Sequence, residues 1–256
     1  MPATPRPFIL DEVTWKIVRE TRYEVAILPW GATEAHNLHL PYTTDNIAGE
    51  AIAAAAAEQA WNRGAKVVVL PVMPFGVNTG QLDIPLCINM NPSTQAAVLR
   101  DVATTLAGQG IAKLVILNSH GGNDFRQMIR ELQPQVSIFL CTVHWIHAAD
   151  AKAFFSDLGD HGGELETSVM MHVAPDRVRP LSEAGDGRGR RFKIAAFREG
   201  WAWAPRQWRQ VTEDTGVGNP AAATAEKGKQ FVDAVTKRIA DFLIELARAD
   251  TTRMYE

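Results

Sequence analysis

Cysteine is nearly absent: Cys87 and Cys141 are the only two in 256 residues. Two cysteines make no disulfide scaffold, and a reducing compartment is the simpler reading. A basic excess is absent too, with 26 Lys and Arg against 29 Asp and Glu and a net charge of −3. Nothing in that balance marks a nucleic-acid binder. No apolar run reaches the roughly 18 residues of a membrane span. The opening MPATPRPFILDEVTW lacks the apolar core of a secretory signal. Together these absences predict a cytoplasmic protein with neither nucleic acid nor membrane as partner. Nucleotide-binding loops are missing as well. No G-x-G-x-x-G follows a predicted strand, and no G-x-x-x-x-G-K-[ST] occurs.

What is present is an ordinary globular composition, 46% hydrophobic and 21% charged. The length is read as one domain over residues 1–256, with residues 1–8, rich in proline from Pro2 to Pro7, as a flexible tail. Short apolar runs alternate with helical patterns. Strands are predicted at Val25–Trp30, Lys66–Pro71, Lys113–Asn118 and Val136–Val143. Helices are predicted over 46–63, stopped by Gly64, and from Asn91-Pro92-Ser93-Thr94 to Ala107, with Ser or Thr as the N-cap. Others run from a cap at Asn123 or Asp124 to Leu132, over 167–172 before Pro175, and over 221–248. Residues 183–219 are loop-rich, with many Gly, Arg and Trp. Strands that are apolar throughout must be covered on both faces. Alternated with helices, they predict an α/β layer fold with a mostly parallel sheet.

In such sheets ligands gather beyond the carboxyl ends of the strands. After the first strand come Glu34, His36, His39 and then Asp45; after the third comes Asn118-Ser119-His120-Gly121-Gly122-Asn123. After the fourth come His144 and His147, and later Asp160-His161-Gly162-Gly163-Glu164-Leu165-Glu166. Imidazole mixed with carboxylate suits Zn²⁺, Mn²⁺ or Fe²⁺. Two histidines and three carboxylates suffice for two metals sharing a bridging carboxylate, an arrangement able to hold a hydroxide and polarise a carbonyl. Each piece also has an ordinary reading. His-Gly-Gly is a common turn because Gly supplies positive φ. His120 suits a helix cap, and Glu166 suits a helix N-terminus. His144 and His147 fit site walls or partly buried rings, and His172 lies on an apolar helix as a structural residue. Cys87 and Cys141 have no activating neighbour in sequence and are not read as nucleophiles. The joint pattern, ligand types after several separate strand ends, is what points to a site.

At these residues the chain resembles the creatininase family. Its G-x-x-E-x-H-G-x-H-L-P…T-D motif stands as Gly31 to Pro41 with Thr44-Asp45. Its N-x-H-G-G-N motif stands as Asn118 to Asn123, and its third motif runs from His161 through Glu166-Thr167-Ser168. A late stretch matches Gly216-Val217-Gly218-Asn219-Pro220 and Glu226-Lys227-Gly228. The resemblance implies a three-layer α/β/α fold, two divalent metal ions per chain (Zn, Mn or Fe) and a homohexamer built as a trimer of dimers. It implies hydrolysis of a non-peptide C–N amide bond, cyclic or formyl, in a small-molecule substrate through a metal-bridging hydroxide. A small-peptide hydrolase on the same centre, or a metal-binding scaffold without turnover, are the alternatives. By motif, Glu34 and His120 hold one metal, His36 and a second glutamate the other, and Asp45 bridges. His161 matches the proton-shuttling histidine, with Asp160 as a candidate to orient its ring.

Departures are specific. Gly122 stands where creatininase has a metal-binding glutamate, so the second glutamate is assigned to Glu166, with Glu164 as a substitute. Gly121 replaces an aromatic residue, and Asn37 replaces the usual glycine of the first motif. Ile84-Pro85-Leu86-Cys87 stands where the family has P-G-T. These changes touch the pocket more than the metals and argue against creatinine as substrate. The Arg- and Trp-rich segment from Arg188 to Trp208 reads either as a subunit interface or as a substrate wall.

Overall fold

A computed structural model describes residues 4–256. In chain order it contains α1 (Trp15–Glu20), β1 (Val25–Trp30), α2 (Thr44–Asn62), β2 (Val67–Val69), α3 (Pro92–Gly108) and β3 (Lys113–Asn118). Then follow α4 (Phe125–Leu132), β4 (Phe139–His144), α5 (Glu164–Val173), α6 (Ala195–Glu199), α7 (Trp208–Val211) and α8 (Ala225–Arg248). The strands form one parallel sheet in the order β2-β1-β3-β4. Central β1 and β3 are buried at every residue, which is why Val25–Trp30 and residues 114–117 read as apolar runs.

Alternation splits each strand between two cores. Val25 and Ile27 of β1 face a core with Ala53, Ala56 and Ala57 of α2, Val169 of α5, and Phe231, Val235 and Leu243 of α8. Ala26, Leu28 and Trp30 face the other side, against Leu99 of α3 and Phe125 and Leu132 of α4. The result is a three-layer α/β/α architecture. The alanines of α2 have no bulk beyond Cβ, so α8 packs close above them. No described helix is long and apolar enough to cross a membrane.

The structure moves several predicted boundaries. β2 stops at Val69 rather than Pro71, because proline offers no N–H to a ladder. β4 starts at Phe139 rather than Val136, since Gln133–Gln135 adds a 3-10 turn after α4. Asn91 is the N-cap of α3 with Pro92 as first helical residue, so Ser93 and Thr94 lie inside the helix rather than capping it. Asp124 caps α4 by accepting from Arg126 N. α5 begins at Glu164, three residues ahead of the expected start. α8 begins at Ala225 rather than 221, because Pro220–Ala222 forms its own turn and Thr224 accepts from Lys227 N.

Of the expected tail, residues 1–3 lie outside the described residues. The remainder is anchored in part. Arg6 pairs with Glu12, Tyr23 OH donates to Pro7 O at 2.6 Å, and Phe8 is buried. Val69 N donates to Phe8 O at 2.8 Å, so this segment covers the edge of β2. Because the strands are parallel, the segments leaving β1, β3 and β4 emerge on one edge of the sheet.

Candidate metal centre

Backbone packing sets the first two segments of the site. Gly31 leaves β1 so close to α2 that a Cβ there would fall 2.2 Å from Asn46 Oδ1. That closeness brings the loop bearing Glu34 and His36 against Asp45 in the first turn of α2. Asn37 takes φ 55°, the left-handed conformation that a glycine would supply, and asparagine tolerates it well. Its Oδ1 accepts from Leu38 N and Gly185 N, tying this loop to the start of the loop-rich stretch 183–219. After β3, the two asparagines of N-x-H-G-G-N clasp the turn. Asn118 bonds both the N–H and the C=O of His120. Asn123 bonds Asn118 and accepts from Val77 N and Gln95 Nε2.

Three histidine rings here are held by main-chain carbonyls. His120 Nε2–H donates to Val77 O at 3.1 Å, His36 Nδ1–H to Glu34 O at 3.1 Å, and His161 Nε2–H to Ala35 O at 2.7 Å. In the neutral ring this assigns the lone pair to the other nitrogen, as in metal-ligating histidines. Those nitrogens face carboxylates. His120 Nδ1 lies 2.8 Å from Glu34 Oε1 and 3.0 Å from Asp45 Oδ2. His36 Nε2 lies 3.1 Å from Asp45 Oδ1. Yet Glu34 Oε1 and Asp45 Oδ2 are buried without a hydrogen-bond partner. Lone pairs thus converge with no donor between them, which is what a cation satisfies.

Three groupings of ligand atoms lie within 4.8 Å of one another: Glu34, Asp45 and His120; His36, Asp45 and Glu166; and Glu34, His36 and His161. The first two share Asp45, whose two oxygens turn to different histidines. Electrostatics agree with this demand for positive charge. Burial opposes charge on the His36 ring, but Asp45, Glu166 and Glu34 outweigh it and push the ring up to about 10. His120 is raised against the same burial by Glu34 and Asp45. Burial likewise opposes charge on Glu34 and Asp45, yet the histidines hold both below the usual carboxylate range. Glu166 is raised, because burial prevails over His36 and His161. The carboxylates require protons on these rings or cations in their place.

Other expected residues sit elsewhere. Glu164 accepts from Ser156 N, Ser156 Oγ and Asp157 N and pairs with Lys227, so it anchors a loop and α8 rather than joining the cluster. Asp160 pairs with Arg206, not with His161; neighbouring residues in this extended segment point apart. The His161 ring instead stacks on His36 at 4.1 Å and meets the edge of Trp208 at 5.2 Å. His39 bonds a side chain, Thr167 Oγ1 at 2.9 Å, and burial holds it down to about 4. His144 and His147 pack together at 4.8 Å. Cys141 is pushed up to about 12 by burial, far from nucleophilic.

Gly122 has no room for a side chain: a Cβ would fall 2.2 Å from Val77 O and 2.5 Å from His120 Nε2. A glutamate there would break the carbonyl contact that holds His120, whereas Glu166 of α5 stands in a grouping with His36 and Asp45. Sequence reasoning missed Gln81, whose Nε2 donates to Glu34 Oε2. It stands in a turn, Thr79–Gln81, that matches no motif, and only the fold brings it to Glu34.

Comparison with known proteins adds independent findings. The family model for creatininase, described as creatinine amidohydrolase, matches residues 11–243. A solved structure from Bacteroides fragilis NCTC 9343, provisionally named a creatinine amidohydrolase, is 44% identical with a TM-score of 0.93, over 99% of this chain and 100% of that one. The mycofactocin precursor peptide peptidase of Mycolicibacterium smegmatis is 25% identical over 85% of this chain and 83% of its own length. The creatinine amidohydrolase of Pseudomonas putida is 28% identical over 66% and 73%. Creatininase structures described as Mn and as Zn-Zn type superpose with TM-scores of 0.80 and 0.78 at 22% identity, over 94% of this chain and 99% of each.

Proposed function

The chain belongs to the creatininase family, and from that premise we propose that it is a binuclear metal-dependent hydrolase of C–N amide bonds. The observation that carries the reading is Asp45, whose two oxygens belong to two separate ligand groupings. Glu34 and His120 complete one site, and His36 and Glu166 the other. Zn²⁺, Mn²⁺ and Fe²⁺ all suit this donor set, and family structures are described with Mn and Zn. When bound, such ions supply Lewis acidity toward a carbonyl oxygen and lower the pKa of a water. The chain itself does the rest. The carbonyls of Glu34 and Val77 hold the two ligand rings in one orientation, and burial of the carboxylates keeps water from competing for them. His161 is the proposed catalytic acid. Its Nε2–H is committed to Ala35 O, which leaves Nδ1 to carry a proton to the leaving nitrogen. Trp208 closes one side of that ring.

The substrate class is a cyclic amide or formamide, with creatinine disfavoured by Gly121 and Gly122. A relative named for peptide cleavage favours a second reading, small-peptide hydrolysis on the same centre. The whole chain acts as one domain and assembles as a homohexamer. Exposed Trp201 and Trp203 favour Arg188–Trp208 as part of an interface. The deciding experiment is metal content per chain in wild type and Asp45→Ala, followed by assays on cyclic amides, formamides and short peptides. About two metals in wild type and loss in the variant are expected. Wild type that takes up no Zn²⁺, Mn²⁺ or Fe²⁺ on reconstitution overturns the reading.

A further inference from the structure

The two oxygens of Glu34 keep different company. Oε1 faces the cluster, 2.8 Å from His120 Nδ1 and 3.9 Å from both His36 Nε2 and His161 Nδ1, and no hydrogen bond satisfies it. Oε2 turns the other way and accepts from Gln81 Nε2. Gln81 is only 5% exposed. A carboxamide has two ends, and only the nitrogen end helps a carboxylate. Cys87 decides which end is presented. Ala35 N donates to Cys87 Sγ at 3.2 Å, filling the acceptor side of the sulfur. The thiol hydrogen then goes to Gln81 Oε1, 3.2 Å away, so the amide nitrogen must point at Glu34. The contacts close a ring from Glu34 through the Ala35 backbone, Cys87 and Gln81 back to Glu34.

We propose that Gln81, oriented by Cys87, is the positioning residue that presents Glu34 Oε1 to the site formed with Asp45 and His120, and so sets that site's metal affinity. The inference rests on the metal-centre reading above. A glutamate carboxyl turns about its last torsion with little resistance. Fixing Oε2 fixes where Oε1 points. Without the amide donor, Oε2 is a buried acceptor with no partner, and the group rotates to find one. The site of His36, Asp45 and Glu166 does not contain Glu34 and keeps its ligands. One site of the two is therefore affected, which a general loss of structure does not produce.

The test is competition of the metal-free full chain with a chromophoric chelator for Zn²⁺, in wild type, Gln81→Met, Cys87→Ala and Cys87→Ser. Melting temperature is read alongside. Gln81→Met keeps the bulk and removes the donor. Expected are two Zn²⁺ in wild type and, in Gln81→Met, one site unchanged and one weakened about 10- to 100-fold, the range typical of partners that orient a ligand. Cys87→Ala weakens the same site by a smaller factor, and Cys87→Ser, which retains donor and acceptor, restores it. Two sites of wild-type affinity in Gln81→Met overturn the proposal. So does a parallel weakening of both sites with a lowered melting temperature, which marks a merely structural role. If Gln81→Met fails to fold, equal Zn²⁺ affinity in Cys87→Ala and Cys87→Ser overturns it instead. A wild type that binds no Zn²⁺ overturns the metal-centre reading, and this inference with it.

Discussion

Gly122 shows how one missing side chain shapes the candidate ligand set. Its Cα lies against the Val77 carbonyl that holds His120, so a methyl group displaces one or the other. Gly122→Ala should destabilise the chain by about 1–3 kcal/mol, as overpacking does. It should also weaken metal binding at the proposed site of Glu34, Asp45 and His120. Thermal melting and metal count check this; unchanged metal content would show that the carbonyl contact is dispensable. Asn37 offers a second case at this scale. Gly at this position keeps the left-handed turn but loses the bonds to Gly185, whereas Ala loses both. Asn37→Ala should therefore unfold at lower denaturant than Asn37→Gly, by about 1 kcal/mol. The candidate ligands Glu34, His36, Asp45, His120 and Glu166 were legible because motif order carries them. Gln81 was not, because the carboxylate it contacts lies 47 residues earlier and no local pattern encodes that pairing. Asn37 was legible as a departure, but its meaning needed a backbone angle.

Elements differ in how plainly the sequence writes them. β1 and β3 lie at the sheet centre, so burial on both faces makes each an apolar block with sharp ends. β2 and β4 lie at the edges, where fewer ladder bonds hold them and neighbours set the boundary. Pro71 ended one early and the turn after α4 delayed the other. Helix starts failed where two caps compete within a few residues, as at α8, where Asn219 caps a short turn and Thr224 caps the helix. Thr224→Ala should cost about 1 kcal/mol in chemical denaturation, the usual loss at an N-cap. The end of β4 carries a pH dependence. Burial first, and His147 second, hold His144 down to about 4 from an ordinary value of 6.5. An unfolded chain takes up a proton below 6.5 that the folded chain refuses until about 4, so stability falls as pH drops between those values. Melting temperature measured from pH 7 to 4.5 should decline, and His144→Asn should remove part of the decline, the remainder coming from His39, which burial also holds down to about 4.

At the scale of the molecule, three carboxylates and two histidines from positions 34 to 166 are brought together in one cluster. Loops after β1 and β3 and the starts of α2 and α5 all meet at one edge. A cation bound there, as proposed, would tie these elements together in the folded state only, so chelation should lower the melting temperature. At free metal 100 times the dissociation constant, one such site contributes about 2.7 kcal/mol. Assembly belongs to the same scale. Trp203 is 84% exposed and Trp201 75%, with Leu82 at 68% and Leu86 at 79%. Large apolar side chains in such number are covered when chains associate. Sedimentation should therefore give a mass several times the 28.1 kDa of one chain, six times for the proposed hexamer. Trp201→Ser combined with Trp203→Ser should shift the population toward smaller species, with metal content per chain retained because neither residue touches the cluster. A monomeric wild type would assign these tryptophans to the other reading of the segment, a wall for substrate beside Trp208 and His161.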